Sequence, residues 1–294
     1  MSALDLHEHL ATGATHMCHC WRLQRQDGVT LGFTDHDQPI GFDGVIFQPD
    51  TGMTARALSS TTGLSVDNSE AAGVLSAAAI TEADIEAGRY DEAAVSTWLV
   101  QWDQPENRQL LFSGTIGEIT RVAGAFQAEL RGLADPMNQA TGRTYLTTCG
   151  ATLGDGSCTA NLLDPRYSTI IAVQSVEANQ FFSFDDLSDF AVQWFDGGSL
   201  EVISGAATGL SGLIRQDTEH GSSRHIRLWE PIRAAIVPGD EVRLVTGCDK
   251  RAETCKEKFA NLINFQGFPH IPGDDWLVSV PRSDQSNTGG SRNG

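Results

Sequence analysis

Two pairs of cysteines, far apart in the chain, constrain the fold more than any other feature of the sequence. Cys149 and Cys158 bound the end of TTCGATLGDGSC at 147–158, and Cys248 and Cys255 lie in TGCDKRAETCKEKF at 246–259. Each pair is local, so a fold that returns the chain to its starting loop brings four thiols to one place. Thiolates are soft ligands that suit zinc and iron–sulfur clusters. Gly150, Gly154 and Gly156 give the first loop sharp bends and let backbone approach a bulky group, because glycine has no Cβ to clash. In the second segment Asp249 is an N-cap type, and Cys255, Phe259 and Leu262 follow at helical spacing, which predicts a helix with Cys255 turned inward. A helix N-terminus there would also favour the thiolate form of both cysteines. Arg143, Lys250, Arg251, Lys256 and Lys258 stand near these pairs in sequence and would offset the charge of four thiolates.

Spacing alone leaves several readings open. The cysteines can be buried small hydrophobes, two disulfides of an exported protein, or a metal centre. Neither pair has the tight C-x₂₋₄-C knuckle of many zinc sites, which tilts a metal centre toward a cluster. Cys18 and Cys20, near His16, His19 and His36, invite a second metal hypothesis. In a strand both sulfurs would share one face while His19 points to the other, so packing of a half-buried strand is the better reading. Asp35-His36-Asp37 reads as turn chemistry, in which such side chains bond to backbone.

Charge removes some function classes. The chain has 294 residues, with 20 Lys and Arg against 38 Asp and Glu, a net charge of −18. That argues against sequence-specific nucleic-acid binding through a basic face and fits docking onto a basic partner. MSALDLHEHLATGA lacks a basic start and a long apolar core, so no secretory signal is expected. No apolar run approaches the ~18 residues of a membrane span. Synthesis in a reducing bacterial cytoplasm follows, which favours free or metal-bound thiols over disulfides.

Alternation predicts a mainly β chain, built as β-barrel or meander domains with a few short helices. The C-terminal, cluster-binding domain is expected to be α+β. His16–Leu23 alternates, with Cys18, Cys20 and Arg22 on one face and Met17, His19, Trp21 and Leu23 on the other. A turn at 26–29 and a second strand at 29–34 follow, then a turn at Gly41-Phe42-Asp43-Gly44. Residues 51–79 show no clear period. Ile80–Gly88 reads as a short helix capped by Thr81 and stopped by Gly88. Strands are expected at 94–102, 110–122 and 125–133, with a junction and short helical stretch to residue 140. Further strands are expected at 169–176, 200–204, 225–229 and 240–245, the last entered through a Val237-Pro238-Gly239 turn. Gly212 and the other scattered glycines read as turn residues. The expected domains are 1–140, 141–280 and a tail at 281–294 with almost no apolar residues. Metal at the four cysteines would close a loop of about a hundred residues, which the chain-entropy account values at several kcal/mol.

The string GCDKRAETCKEKFANLINFQGFPHIPGDDW resembles the C-terminal signature of a phage tail hub family. CHCWRLQRQDGVTLGFTDHDQPIGFDG, ITEADIEAGRYDEAAV and FQAELRGLADPMNQATGRTY resemble the N-terminal half of the same family. Members occur in tailed phages, prophages and gene transfer agents of α-proteobacteria, and the resemblance covers roughly residues 14–280. It implies a structural baseplate protein, not an enzyme, placed between the distal tail protein and a tail-tip or megatron-like fibre protein, with a tail-associated peptidase among its neighbours. A homo-oligomeric ring, a trimer, is implied by the step from a six-fold tube to a three-fold tip. Similar siphophage tail-tip proteins carry a four-cysteine iron–sulfur cluster. By resemblance Cys149, Cys158, Cys248 and Cys255 are the ligands of such a cluster, of the 4Fe–4S type, with zinc as the alternative. Two other functional readings stand against the hub: an iron–sulfur redox or metalloenzyme, and a zinc-stapled binding module. No phosphate-binding, dinucleotide or hydrolase motif supports the enzyme reading.

Overall fold

The computed structural model describes residues 3–13, 15–49, 68–75, 80–122, 125–132, 142, 144–185, 187–221 and 223–271. The chain divides into two compact units, Met1–Ala140 and Thr141–Gly294. The junction stretch, Arg143 and the tail at 281–294 fall outside the described residues.

The first unit begins with α1 (Ala3–Ala11) and then builds strands β1 (Met17–Gln24), β2 (Thr30–Thr34), β3 (Ile40–Phe42), β4 (Val45–Pro49) and β5 (Asn68–Leu75). The short helix α2 (Glu82–Glu86) precedes β6 (Ala94–Gln101), β7 (Arg108–Val122) and β8 (Ala125–Gly132). The strands form one eight-stranded sheet in the order β3-β4-β2-β1-β6-β7-β8-β5. Its centre is an antiparallel meander, and among the described residues only the β2–β4 pair is parallel. Both faces of β1 are buried, which explains why its sequence is apolar on both. Trp21 and Leu23 enter a cluster with Tyr90, Val95 and Ile116, whereas Cys18 and Cys20 enter another with Phe47, Trp98 and Val100.

Turn chemistry acts where the sequence suggests. Asp43 and Gly44 both have positive φ between β3 and β4, the conformation a tight hairpin requires. The Thr81 hydroxyl accepts the Asp84 N–H at 3.2 Å and so caps α2, and Gly88 follows the helix at φ 74°. Four elements of this unit go beyond the sequence reading: α1, whose Leu6 is fully buried, the short strands β3 and β4, and β5, inside the stretch without a period.

The second unit contains β9 (Ser168–Ala172), β10 (Ser175–Glu177), β11 (Phe181–Asp185), β12 (Ser199–Val202), β13 (Ser211–His220), β14 (Ser223–Leu228) and β15 (Glu241–Val245), then α3 (Ala252–Glu257). The sheet order is β10-β11-β14-β13-β12-β15-β9. Its two end strands are consecutive in sequence. Val173 donates to the Asp240 carbonyl at 2.9 Å, and the adjacent Gln174 donates to the Ser183 carbonyl at 3.0 Å. One bent segment therefore joins both ends, and the sheet closes into a barrel. Closure removes free edges and gives one interior. Phe182, Phe184, Leu200, Ile214, Leu228 and Leu244 fill it. The interior also holds an ion pair. Arg224 of β14 donates through Nε and Nη2 to the carboxylate of Asp217 on β13, and through its Nη groups to the Phe190 and Ala191 carbonyls. The second Asp217 oxygen also takes the Phe195 N–H at 3.0 Å.

Several sequence expectations are corrected here. The strand expected at 169–176 is interrupted at Val173–Gln174, because those residues turn the corner of the barrel. Strands β11 and β13 were not anticipated. Gly212 is not a turn residue: it lies in β13 opposite Leu200, and a Cβ there would meet Leu228 at 2.8 Å. Trp229 lies just past the end of β14. The turn before β15 is as expected, with Gly239 at φ 98° and the Asp240 N–H bonded to the Val237 carbonyl.

Candidate metal centre on two cysteine loops

The barrel returns the chain to its own entrance. Leaving β15, Gly247 packs so closely on the Asp196–Gly198 corner that a Cβ would stand 1.7 Å from the Asp196 carbonyl oxygen. Only glycine fits, and this contact sets where Cys248 emerges. The entrance loop meets it there: the Cys149 N–H donates to the Lys250 carbonyl at 2.8 Å. Past α3 the chain crosses the same loop again. The Gly150 N–H donates to the Gln266 carbonyl at 3.4 Å, and the Phe268 N–H to the Leu146 carbonyl at 2.8 Å. Gly267 has no room for a side chain against the Thr148 carbonyl.

All four cysteines of the two pairs line one cavity, together with Leu153, Phe259 and Phe265. Cys255 is buried on α3, and the other three are half-buried on loops. Three of the sulfurs face N–H donors. Gln266 N–H lies 3.4 Å from Cys149 Sγ, Lys250 N–H lies 3.4 Å from Cys248 Sγ, and Asn261 Nδ2 lies 3.8 Å from Cys158 Sγ. Such donors favour a sulfur that bears negative charge. The Cys158 turn is held by Asp155, whose carboxylate accepts the N–H groups of Thr152, Ser157 and Cys158. Those bonds, the one from Cys158 foremost, hold the Asp155 carboxyl below its ordinary range. Thr159, next to Cys158, and Lys250, two residues after Cys248, both have positive φ without being glycine. Backbone strain of this kind concentrates at sites where the surroundings dictate geometry.

Two cations brace the centre. Lys250 Nζ donates to the Ala151 carbonyl at 2.5 Å. Lys258 Nζ donates to the Trp194 carbonyl at 2.7 Å and the Gly247 carbonyl at 2.9 Å, and it stands 4.3 Å from the Trp194 ring centroid. Burial lowers the Lys258 pKa, partly offset by the charge of Cys248.

The helix accounts for less than the sequence reading assigned to it. Asp249 is not the N-cap of α3, since that position is Arg251, with no side-chain cap bond. Asp249 instead accepts the Arg251 N–H at 3.0 Å and the Thr254 hydroxyl at 2.9 Å. The helix ends at Glu257, so Leu262 leaves the apolar face and is exposed, while Phe259 stays buried against Tyr167. The thiols are not acidified by a helix end either. Burial pushes the pKa of both Cys248 and Cys255 up, and for Cys255 the other three cysteines add to it. A compensating positive charge at the centre would favour the thiolate form of these two.

Among the described residues no three His, Cys, Asp or Glu side chains are gathered closely enough to hold one metal ion. This includes the first strand, where Cys18 Sγ points to the Val100 carbonyl and Cys20 Sγ to the Thr34 hydroxyl, each at 3.6 Å. His19 pairs with Asp35 at 2.9 Å, and Asp35 also accepts the His19 N–H at 2.7 Å. His36 instead accepts the Gln38 N–H at 3.0 Å. Sequence reasoning missed Asn261 and Gln266 as supports of the sulfurs. Lys250 and Lys258, expected near the pairs as cations, hold loop carbonyls instead of facing the sulfurs.

The family of baseplate hub protein N-terminal attachment domains matches residues 3–161, more than half of the chain. The chain belongs to the baseplate hub family. It is therefore a structural protein of a phage-like tail baseplate and not an enzyme. Residues 193–275 match a second family, described as phage conserved hypothetical protein BR0599. The hub match ends after Cys158 and the second match contains Cys248 and Cys255, so the four cysteines of the cavity are divided between the two matches. A chain from a solved structure, the virion of a native gene transfer agent particle, is 49% identical to this hub protein. That likeness covers 97% of this chain and 98% of the other, with a TM-score of 0.87. No curated protein matches. Among the described residues no helix is long and apolar enough to cross a membrane.

Proposed function

We propose that this protein is the hub of a gene transfer agent or siphophage-like tail. In that role it joins the distal tail protein to the tail-tip or megatron-like fibre protein as part of a trimeric ring, with a tail-associated peptidase nearby. Its first unit carries the attachment role, and its second is stapled by an iron–sulfur cluster on Cys149, Cys158, Cys248 and Cys255. Family membership, with a virion chain 49% identical over nearly the full length, supports the place in the tail.

The observation that carries the cluster reading is the set of four sulfurs around one cavity with N–H donors aimed at three of them. A tetrahedral zinc draws its sulfurs to about 2.3 Å from the ion. Zinc on the same four sulfurs is the alternative reading, and iron and sulfide content distinguishes the two. When bound, the cluster supplies the positive charge that lets buried thiols ionise. This chain's residues do the rest: Lys250 and Lys258 hold the loops, Asp155 shapes the turn, and Phe259 and Phe265 restrict water.

Deletion of the gene tests the assembly role. Heads should still form while infective or DNA-delivering particles disappear. Tails of normal length with full delivery from the deletion strain would defeat the hub reading, and intact particles with a metabolic defect would point to the enzyme class instead.

A further inference from the structure

Of the three N–H donors aimed at the cysteine sulfurs, two belong to the backbone of Gln266 and Lys250 and follow from the path of the chain. The third is the side-chain amide of Asn261, so it depends on which residue stands there. Its contacts reach both cysteine pairs. The Asn261 N–H donates to the Cys255 carbonyl at 3.0 Å. Its Nδ2 donates to the Cys158 carbonyl and stands 3.8 Å from Cys158 Sγ. One residue thus bridges a cysteine of the entrance loop and the cysteine of α3.

The orientation of that amide is fixed from behind. Asn261 Oδ1 accepts from Asn264 Nδ2 at 2.7 Å, and the same Nδ2 donates to the Thr159 hydroxyl at 2.9 Å. A flipped amide would set its oxygen against the Cys158 carbonyl oxygen and its NH2 group against that of Asn264, so one orientation alone satisfies the partners. Backbone strain flanks the bridge on both sides. Ala260, just before Asn261, has φ 49°, and Thr159, just after Cys158, has φ 57°, values that a residue with a side chain adopts at a cost. Asn261 and Asn264 both line the cavity that the four sulfurs share.

We propose that Asn261 is a positioning residue of the metal centre that also sets the centre's electron affinity. It holds Cys158 and Cys255 in one frame, and through the same NH2 group it draws negative charge from the Cys158 sulfur. The inference rests on the reading of the four cysteines as one metal centre. The chemistry of the group supports a role beyond bracing. A brace between loops needs only the bond to the Cys158 carbonyl, whereas an amide NH2 has a second hydrogen to give, and the sulfur lies within its reach. A donor to a ligand sulfur favours the more negative, reduced state of a cluster, so its loss moves the reduction potential to more negative values. Aspartate has nearly the same shape and can still accept from Asn264, yet its carboxylate has no hydrogen for the sulfur.

The test compares the full-length parent with Asn261→Asp, Asn261→Ala and Tyr167→Phe, all purified without oxygen. Tyr167 is the control: its hydroxyl donates to the Lys258 carbonyl at 3.2 Å, at the end of α3, and it does not line the cavity. Iron and sulfide are counted first. The reduction potential of the bound cluster is then measured, and the affinity of the demetallated chain for Co(II) is read from thiolate charge-transfer absorption. Both Asn261 variants should shift the potential to more negative values, Asp further than Ala, and should bind Co(II) about 10–100-fold more weakly. Tyr167→Phe should lower the melting temperature and keep the parent's potential. Should the Asn261 variants fail to fold, Asn264→Ala, which frees the amide without removing it, should shift the potential the same way by less. An unchanged potential or Co(II) affinity in the Asn261 variants, no shift in Asn264→Ala where it replaces them, or an equal shift in Tyr167→Phe would overturn the role of Asn261 and leave the cluster reading intact. Parent protein without iron that still binds Co(II) through four thiolates would overturn the cluster reading alone, and the Co(II) affinities would then decide for or against Asn261. Parent protein that binds neither would overturn both.

Discussion

The six cysteines divide between two environments, and the difference shows what a thiol is used for. Cys18 and Cys20 sit on a strand, packed beside Phe47 and Trp98, and their sulfurs point toward acceptors. The hydrogen bond with Cys18, and then burial, keep the Cys20 thiol protonated. Cys149, Cys158 and Cys248 sit on loops, Cys255 on a two-turn helix, and here donors point toward sulfur. The strand pair fills volume in a core that the sheet already defines. The loop set lies where segments distant in sequence cross, joined by backbone bonds from 146–150 to 250 and 266–268 and by the Lys250, Lys258 and Asn261 side chains. The first set follows from the fold, whereas the second set is the one that the proposed cluster would tie together.

Substitutions sharpen that contrast, beginning with the largest effect. Cys255→Ser should empty the centre and destabilise the second unit by several kcal/mol, because a group that binds only the folded chain contributes its binding energy to folding. Iron content and limited proteolysis would register both losses, and full iron in this variant would break the comparison. Next comes the barrel itself. Arg224→Met leaves the fully buried Asp217 carboxylate without its partner, at a cost of about 3–5 kcal/mol in denaturant unfolding. The purified variant should retain its metal until the barrel melts, which separates barrel stability from the centre.

Lys258→Met removes the donor shared by the Trp194 and Gly247 carbonyls and should cost about 1–3 kcal/mol. Metal loss on challenge with a chelator should be faster than in the parent, yet incomplete. Cys20→Ala should cost about 1 kcal/mol as a small core truncation and leave metal content intact. A Cys20 variant that lost iron as fully as Cys255→Ser would erase the distinction between the two sets. Smallest is Thr81→Ala in the first unit, about 1 kcal/mol or less by the loss of one cap bond, with no change at the centre.

Legibility in the sequence followed the same division. Strands β1, β6, β7 and β8 were readable because they alternate around a sheet with defined faces, and the Asp43-Gly44 and Thr81 signals carry their own mechanism. Strand β13 was not. Its SGLIRQDTEH places Asp217 in the interior and leaves Leu213 exposed, so the burial pattern inverts the hydrophobic one. Only the partnership with Arg224 makes an inward aspartate affordable, and that pairing is invisible until β13 and β14 are aligned. Gly212 misled for a related reason: glycine serves there for the close approach of Leu228 rather than for a turn. At the centre the four cysteines were legible as residues, and the supports from Asn261 and Gln266 were not. A side-chain amide or a backbone N–H has no sequence mark until the loops cross.

The most direct measurement is iron and acid-labile sulfide in the protein purified without oxygen, alongside Cys18→Ser and Cys255→Ser. The account expects brown protein with close to one cluster per chain in the parent and in Cys18→Ser, and colourless protein with neither iron nor sulfide in Cys255→Ser. Colourless parent protein holding one equivalent of zinc, or no metal at all, would contradict it.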